Sequence, residues 1–588
     1  MKHEKIPRNI INQISEPFHM NEEYLAWGTL ISRLRIIAQQ YKKSKAVMEI
    51  KSIVKNGCVH YSEQTISYEQ LDKRSNKVAN LIQMHRVPQG AVVSIAIQTK
   101  IDLCIAIWGV IKAGCVFYVT DLSCNRLPES ELFPGGTSEY ILSDSVQNHV
   151  ADYQHCISYS DSDSCSEICN NMDIVNRILY IVRTSGSISQ PKHICIYQHS
   201  VLNVVYWRIW FYKMGPWTQT LSLVGCQFDA FLADFFSTLL CGGGLTIIHK
   251  HDECNFACYA RILSNRTLTN ITATPSLYAR TLKLVSLSLP HIQYLISGGE
   301  KLTKQLYRRM KEIFSQATIY NEYGPAECCM VTTCGIISDE DACNNIGRPI
   351  DNTEVYIDRH DDKSICGELY ITGVGTNGRY LEDTLTRRAF LQHPNRPGQQ
   401  IYKTGDIVEK KQGEIYFNRR LDDKVKILGY LVDKKEIEEA LLERVDITDA
   451  KVAMEDMKNG SAILVAYVQC CDEWNETTIR AYLKERFPYY MIPSKIVCVS
   501  SLPLNEHGKK TVPRVKDNPS YNDIIRIVSQ SWKTVLHQDD ISPDQSFFEQ
   551  GGNSLLFMDL FLLLNEAYCD IISVPELMEF YTIMDQTE

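Results

Sequence analysis

The chain has 588 residues, 44% of them hydrophobic and 22% charged, and its formal net charge is −9. Its length is too great for one hydrophobic core and predicts roughly two to four domains, while the negative charge argues against a nucleic-acid partner. Because no apolar run reaches about 20 residues and the first residues are polar, the sequence argues against a membrane span and a secretory signal, and we expect a soluble cytoplasmic protein.

Alternating strand and helix patterns begin after an N-terminal extension that we place at residues 1–45. Residues 91–97 are rich in β-branched side chains and predict a buried strand, and residues 101–113 follow with a helical pattern. This alternation is typical of a layered α/β domain. The composition shifts near residue 420, where a charged segment introduces a smaller α/β unit, and again at 513–522, a polar stretch that suits a linker.

The 21 cysteines are scattered through the sequence rather than grouped in a short secreted framework. Cys328 and Cys329 are adjacent, as are Cys470 and Cys471, whereas zinc sites normally separate paired cysteines by two or more residues. We therefore expect reduced thiols and no zinc.

A polar loop follows the apolar residues 180–182. It brings together hydroxyls, a glycine and a cation, which are groups that bind phosphate oxygens. The residues concerned are Thr184, Ser185, Gly186, Ser187 and Lys192.

This loop resembles the phosphate-binding loop of adenylate-forming enzymes. Further segments resemble the motifs of that family in the same order, at 321–327, 367–373, 402–406, 420–429 and 502–509. The resemblance extends from about residue 60 to 575 and is specific to the amino-acid-activating modules of nonribosomal peptide synthetases and their short animal relatives. It implies ATP and Mg²⁺ as cofactors.

The resemblance also assigns roles to individual residues. It places Tyr323 beside the adenine, and Asn321 and Gly324 also among the cofactor-binding residues. Asp406 and Arg420 are placed at the ribose, Glu327 on Mg²⁺, Asp422 at the hinge, and Lys509 on the reacting carboxylate as the catalytic cation.

The C-terminal segment 541–556 resembles the attachment loop of a carrier domain. Ser554 follows the Gly551–Gly552 turn, which keeps its hydroxyl exposed at the start of a helix. The resemblance implies 4′-phosphopantetheine on Ser554, a phosphopantetheinyl transferase as partner, and a thioester between this arm and the amino acid.

The fold implied by these resemblances is α/β, with a large adenylate-forming core of several subdomains, a small C-terminal α/β subdomain and a four-helix carrier domain. We place the large subdomain at 46–419, the small subdomain at 420–512, the linker at 513–522 and the carrier at 523–588.

Mapping the family's specificity pocket gives a set of candidate substrate contacts, with Asp229 on the α-ammonium and Lys509 on the carboxylate. Small Ala233 and Gly298 leave room for a sizeable, aromatic side chain. Glu322 is expected to accept a hydrogen bond from the polar tip of that side chain. The full set is Asp229, Ala230, Ala233, Thr272, Ile296, Gly298, Glu322, Met330, Val331 and Lys509.

Three alternatives stay open from the sequence. β-Alanine is a competing substrate, because a short adenylation-plus-carrier chain resembles the insect β-alanyl amine synthases of the Ebony type, although their pocket aspartate falls where this chain has Ala230. A ligase that uses free coenzyme A is the second alternative. A degenerate nucleotide-binding module is the third, favoured by Ala326 where the family has a threonine and by Ile188 and Ser189 in the phosphate loop. We expect the loaded amino acid to pass to an amine acceptor or a condensing domain.

Overall fold

The computed structural model describes most of the chain and leaves gaps between the described segments. The described residues are 23–55, 58–120, 140–144, 155–167, 177–184, 192–249, 252, 255–265, 268–359, 366–421, 424–427, 430–444, 446–456, 462–470, 475–499, 502, 521–536, 538, 541–542, 545–547, 549–551, 556 and 560.

The helices of the described residues are labelled in chain order. They are α1 (Leu30–Gln40), α2 (Tyr68–Met84), α3 (Lys100–Lys112), α4 (Gln198–Phe211), α5 (Asp229–Leu240), α6 (Phe256–Asn265), α7 (Pro275–Leu282), α8 (Lys304–Ile313), α9 (Asp383–Ala389), α10 (Lys434–Leu442), α11 (Glu476–Arg486) and α12 (Tyr521–Leu536).

The strands are labelled in the same way. They are β1 (Lys45–Lys55), β2 (Cys58–Ser67), β3 (Val92–Ala96), β4 (Val116–Val119), β5 (Tyr140–Ser143), β6 (His155–Ser158), β7 (Ile178–Thr184), β8 (Lys192–Tyr197), β9 (Gln219–Ser222), β10 (Gly244–Ile248), β11 (Asn270–Ala273), β12 (Tyr294–Gly298), β13 (Thr318–Tyr323), β14 (Thr333–Ile336), β15 (Asn345–Pro349), β16 (Thr353–Asp358), β17 (Cys366–Gly373), β18 (Arg379–Tyr380), β19 (Phe390–Gln392), β20 (Gln400–Lys411), β21 (Glu414–Arg420), β22 (Lys424–Ile427), β23 (Tyr430–Asp433), β24 (Ile447–Asp456), β25 (Ala462–Cys470) and β26 (Lys495–Cys498).

The chain divides into two compact units, and the first consists of Met1–Ile53 and His60–Glu436. Its largest sheet has the order β16-β17-β20-β21-β15-β14-β13-β12-β11-β9-β10-β1-β2, with β19 beside β20. The run from β13 to β1 is parallel, whereas β13, β14 and β15 pair antiparallel. Ligands of α/β sheets bind beyond the carboxyl ends of parallel strands, and β11, β12 and β13 end there side by side.

A second sheet of the first unit has the order β18-β8-β7-β4-β3-β5-β6. Helix α3 lies almost wholly inside the core, where Trp108 and Ile105 are fully buried. Its predicted span of 101–113 and the predicted strand at 91–97 are both confirmed to within a residue or two at each end.

The second unit consists of Val54–Val59 and Ile437–Glu588. Strands β24, β25 and β26 form its sheet, which buries Val452, Val465 and Val468. In the carrier region, α12 buries Trp532, whose ring packs edge-on against Phe547 with centroids 5.0 Å apart. The predicted α/β core and small α/β subdomain are confirmed, while most of the four-helix carrier lies outside the described residues. No helix of the described residues is long and apolar enough to span a membrane.

Candidate active site

The phosphate loop joins two strands of an antiparallel hairpin. Thr184 ends β7 and lies directly opposite Lys192, the first residue of β8. The hairpin therefore brings together the two ends of the predicted phosphate-binding segment. Ser185, Gly186 and Ser187 lie outside the described residues.

The carboxylate of Glu327 lies beside the Lys192 end of this hairpin. Short strand β18 pairs with β8, so that Tyr380 lies opposite Ile194. The Tyr380 hydroxyl donates to Glu327 Oε1 at 2.5 Å, and Lys192 Nζ lies 6.0 Å from the centroid of the Tyr380 ring. Burial, followed by the charge of Glu327, raises the pKa of Tyr380, so the phenol stays a donor that orients this carboxylate.

The donor chemistry at Glu327 fits the implied magnesium ion. Mg²⁺ prefers oxygen ligands and is usually held by one or two carboxylates together with substrate phosphates. Among the described residues no group of three or more His, Cys, Asp or Glu side chains is placed to hold a metal by itself. A single carboxylate next to a hairpin whose loop is predicted to bind phosphate suits an ion that arrives with a nucleotide.

Asp406 and Arg420 form a second polar cluster. They lie opposite each other on β20 and β21, and Arg420 Nη1 donates to Asp406 Oδ1 at 2.6 Å. The Tyr323 hydroxyl donates to Asp406 Oδ2 at 2.5 Å, and Asp406 is only 5% exposed. Burial, followed by the charge of Asp406, raises the pKa of Tyr323 well above its usual range. Three residues that were predicted to bind the nucleotide, each on a different strand, are therefore in contact with one another.

We expect Asp406→Asn to raise the KM for ATP about 10- to 100-fold, since a hydrogen bond to a charged group contributes about 1.5–3 kcal/mol and each 1.36 kcal/mol is a factor of ten. The measurement is the ATP dependence of amino-acid-driven pyrophosphate exchange.

A matched control for this variant is Asp102→Asn. Asp102 Oδ1 also accepts from an arginine and a tyrosine, Arg74 at 2.7 Å and Tyr159 at 3.1 Å, but it lies at the start of α3. The control keeps the wild-type KM for ATP. An equal rise in both variants would assign Asp406 a stabilising role only.

Backbone geometry is constrained in the segment that lies between the predicted nucleotide-binding residues and the predicted pocket residues. A Cβ on Gly324 would lie 2.3 Å from the Met330 carbonyl oxygen, so glycine is required there. Cys329 and Met330 both have a φ of 65°, which turns the chain back before Val331. Asn321 donates to the Asn345 carbonyl at 2.9 Å and so ties β13 to β15.

Four of the predicted pocket residues meet at the ends of the parallel strands. Thr272 on β11 pairs with Ile296 on β12, and Gly298 pairs with Glu322 on β13. A Cβ on Gly298 would lie 2.5 Å from the Glu322 carbonyl oxygen, so this glycine is needed for strand packing as well as for space.

Three further pocket residues lie on α5, which begins at Asp229. An acidic residue in the first turn of a helix is favoured by the helix dipole. Burial, followed by the charge of Asp229, raises the pKa of the Cys329 thiol well above its usual range. Ala230 is exposed, and Ala233, one turn further along, is buried.

The sequence analysis missed side chains that contact the predicted residues. Arg208, Tyr212 and Asp234 lie beside Glu322 and Thr272, and Tyr380 contacts Glu327. A usable signal was present, because Arg208 and Asp234 each interrupt an apolar helix, and buried charges are normally paired. Asp422, Lys509 and Ser554 lie outside the described residues.

Models of three protein families match the chain in sequence. They are the AMP-binding enzyme at residues 48–381, the AMP-binding enzyme C-terminal domain at 436–509 and the phosphopantetheine attachment site at 526–588.

Among curated proteins the chain is similar to synthases of bacterial peptides. It is 28% identical to tyrocidine synthase 3 of Brevibacillus parabrevis over 87% of this chain. It is 29% identical to bacitracin synthase 3 of Bacillus licheniformis over 90% of this chain. The chain spans only 8% and 9% of the length of these two relatives.

Two solved structures share the fold. One is an NRPS protein containing adenylation and PCP domains, with a TM-score of 0.71, 21% identity and coverage of 95% of this chain and 96% of that one. The other is an artificially fused adenylation–PCP didomain from Klebsiella oxytoca, with a TM-score of 0.65, 19% identity and coverage of 95% and 97%.

Proposed function

The chain belongs to the AMP-binding enzyme family, as an adenylating ligase of the nonribosomal-peptide-synthetase type with a carrier domain, and from this we propose that it activates an amino acid with ATP, loads it on Ser554 and delivers it to an amine. The observation that carries the proposal is the order of the three family matches within one chain. An activating domain is followed by its small subdomain and by the site that accepts the product.

In the proposed function, each cluster described above contacts a different part of the nucleotide. In the proposal, Thr184 to Lys192 contact the phosphates, Asp406 and Arg420 hold the ribose, and Tyr323 packs beside the adenine. Asp406 is the negative partner in this set, since a carboxylate accepts hydroxyl hydrogen bonds. Magnesium held by Glu327 supplies charge neutralisation on the phosphates.

The chemical step forms one bond and breaks one. A substrate carboxylate oxygen attacks the α-phosphorus of ATP, the bond to the bridging oxygen breaks, and pyrophosphate leaves with the electron pair. Lys192 and Lys509 stabilise the negative charge that develops on the phosphate oxygens, and Lys509 also positions the attacking carboxylate. Both reactants are held by the same domain, which removes most of the entropic cost of their meeting.

The product adenylate carries AMP as its leaving group. A phosphopantetheine arm on Ser554 would supply a thiol. The aminoacyl carbon would then bond to its sulfur as the bond to the phosphate oxygen breaks, so that AMP leaves and the thiol proton passes to solvent. A tethered thiol has a high effective concentration at the acyl carbon, so free coenzyme A is not needed. We propose that Asp422 is the hinge that lets the small subdomain at 420–512 move between the two half-reactions.

The experiment uses the full chain after treatment with a phosphopantetheinyl transferase and coenzyme A. Incubation with ATP, Mg²⁺ and an amino acid is expected to add one aminoacyl group to the peptide that contains Ser554, as seen by mass spectrometry. Addition of amines then tests delivery, with an amide as the expected product. A loaded chain that forms no amide with any amine would restrict the proposal to loading and assign delivery to a separate condensing domain.

A further inference from the structure

Three charged side chains lie buried beneath the predicted substrate pocket. Arg208 on α4 is 1% exposed, Asp234 on α5 is 1% exposed, and Glu322 on β13 is 10% exposed. Arg208 Nη2 donates to Asp234 Oδ1 at 2.9 Å, and Arg208 Nε lies 3.1 Å from Glu322 Oε1. One guanidinium therefore serves two carboxylates, and the cluster carries a net negative charge when both are ionised.

Two hydroxyl groups donate hydrogen bonds to the same two carboxylate oxygens that face Arg208. Thr272 donates to Asp234 Oδ1 at 2.9 Å, and Tyr212 donates to Glu322 Oε1 at 2.8 Å. Glu322 Oε2 accepts no hydrogen bond from any residue that the structure describes. Asp234 Oδ2 is buried and accepts no hydrogen bond from the described residues, and Asp234 is 1% exposed against 10% for Glu322, so Glu322 is the more accessible of the two carboxylates.

The position of Glu322 places this acceptor in the predicted pocket. It lies opposite Gly298, which has no side chain, and next to the strand ends that carry Thr272 and Ile296. Burial, opposed by the charge of Arg208, raises the pKa of Glu322. Burying a carboxylate that shares its only cation with another carboxylate costs free energy of desolvation, and a second cation beside it would offset that cost.

The other charges of an amino-acid substrate already have partners in the proposed function. Asp229 is assigned to the α-ammonium and Lys509 to the carboxylate, while Arg208 is shared between Asp234 and Glu322. The carboxylate of Glu322 is then left for a group on the substrate side chain. A phenol or indole would donate a hydrogen bond to it but would leave its charge unbalanced.

We propose, granting the adenylation activity proposed above, that the chain selects an amino acid whose side chain ends in a cation, an amine or guanidinium on an aliphatic stem, and that Glu322 binds this cation. The predicted pocket residues Ala233 and Gly298 are small, which suits an aliphatic stem. The sequence predicts an aromatic side chain, with Glu322 accepting a hydrogen bond from its polar tip; the charge of the cluster favours a basic side chain instead.

The test is pyrophosphate exchange with pairs of amino acids of equal shape, lysine against norleucine and ornithine against norvaline. The basic member of each pair is expected to have a kcat/KM about 10- to 100-fold higher, as a charge-assisted hydrogen bond provides. Glu322→Gln is expected to remove that ratio. Glu322→Asp keeps the negative charge and is expected to retain part of the kcat/KM ratio.

The matched control is Glu354→Gln. Glu354 is 12% exposed and, like Glu322, is bound by an arginine and a tyrosine, Arg396 and Tyr356, but it lies on β16. Its variant is expected to keep the wild-type ratio, and thermal unfolding of both variants reports whether each is folded.

The outcomes separate this inference from the function on which it rests. If a neutral or aromatic amino acid is the best substrate, or if a folded Glu322→Gln keeps the ratio, the inference is overturned and adenylation stands. If no amino acid supports exchange while ATP still binds, the proposed function fails, and the inference fails with it.

Discussion

Replacement of Ser554 by alanine is expected to abolish loading of the amino acid and to leave its adenylation intact. The transferase builds a phosphodiester on the serine hydroxyl oxygen, and alanine has no oxygen to replace it. The residues proposed for adenylation lie between Thr184 and Lys509, and Ser554 is not among them. Intact-protein mass spectrometry measures loading, and pyrophosphate exchange measures adenylation.

Ser546→Ala is the matched control in the same region. The Ser546 hydroxyl accepts from the Glu549 backbone N–H at 3.2 Å, a local capping contact with no role in attachment. This variant is expected to load normally. If Ser554→Ala yields the same product as the wild type, with coenzyme A as acceptor, the chain is a coenzyme A ligase and the carrier assignment is wrong.

The second large effect is expected for Lys509→Ala, which removes the cation assigned to the reacting carboxylate. Loss of one group that stabilises developing charge lowers the rate by about 10²- to 10³-fold. The loss applies to adenylate formation, so pyrophosphate exchange falls by that factor. Loading from a chemically prepared aminoacyl adenylate stays near the wild-type rate, because no phosphoryl chemistry remains.

Lys510 offers a stringent control, since it is the next residue and carries the same charge. Lys510→Ala is expected to keep full exchange activity. A loss confined to Lys510→Ala would move the catalytic cation by one residue, and equal losses in both variants would indicate a diffuse electrostatic effect.

The parts of the fold set by local pattern were predictable from the sequence. The strand at 91–97 and the helix at 101–113 are β3 and α3, because a β-branched run and a long apolar helix have few alternatives in an α/β core. The resemblance to synthetase modules is confirmed by the family matches in the same order. Short motifs preserve chemistry even where overall identity is low.

The buried ion cluster was not predictable in the same way. Arg208 and Glu322 are far apart in sequence and meet only because α4 packs against the end of the parallel sheet. The contact of Tyr380 with Glu327 depends likewise on the pairing of β18 with β8, a two-residue strand without a pattern of its own. Such contacts are set by tertiary packing, which hydrophobic periodicity does not report.

Tertiary packing also fixes the residue type at several positions in and beside the predicted pocket. Gly298 and Gly324 are fixed by backbone approach, as a Cβ at either would meet a carbonyl oxygen at 2.5 Å or less. Ala233 on α5 is buried as well, and Thr272 donates to the buried Asp234, so packing also constrains these two pocket positions.

The most direct test of the account is amino-acid-dependent exchange of labelled pyrophosphate into ATP, measured on the full chain with the standard amino acids, ornithine and β-alanine. The account predicts strong exchange with one class of amino acid, its loss in Lys509→Ala, and its persistence in Ser554→Ala. Bound ATP with no exchange for any amino acid in the panel would contradict it and would identify the chain as a nucleotide-binding module without ligase activity.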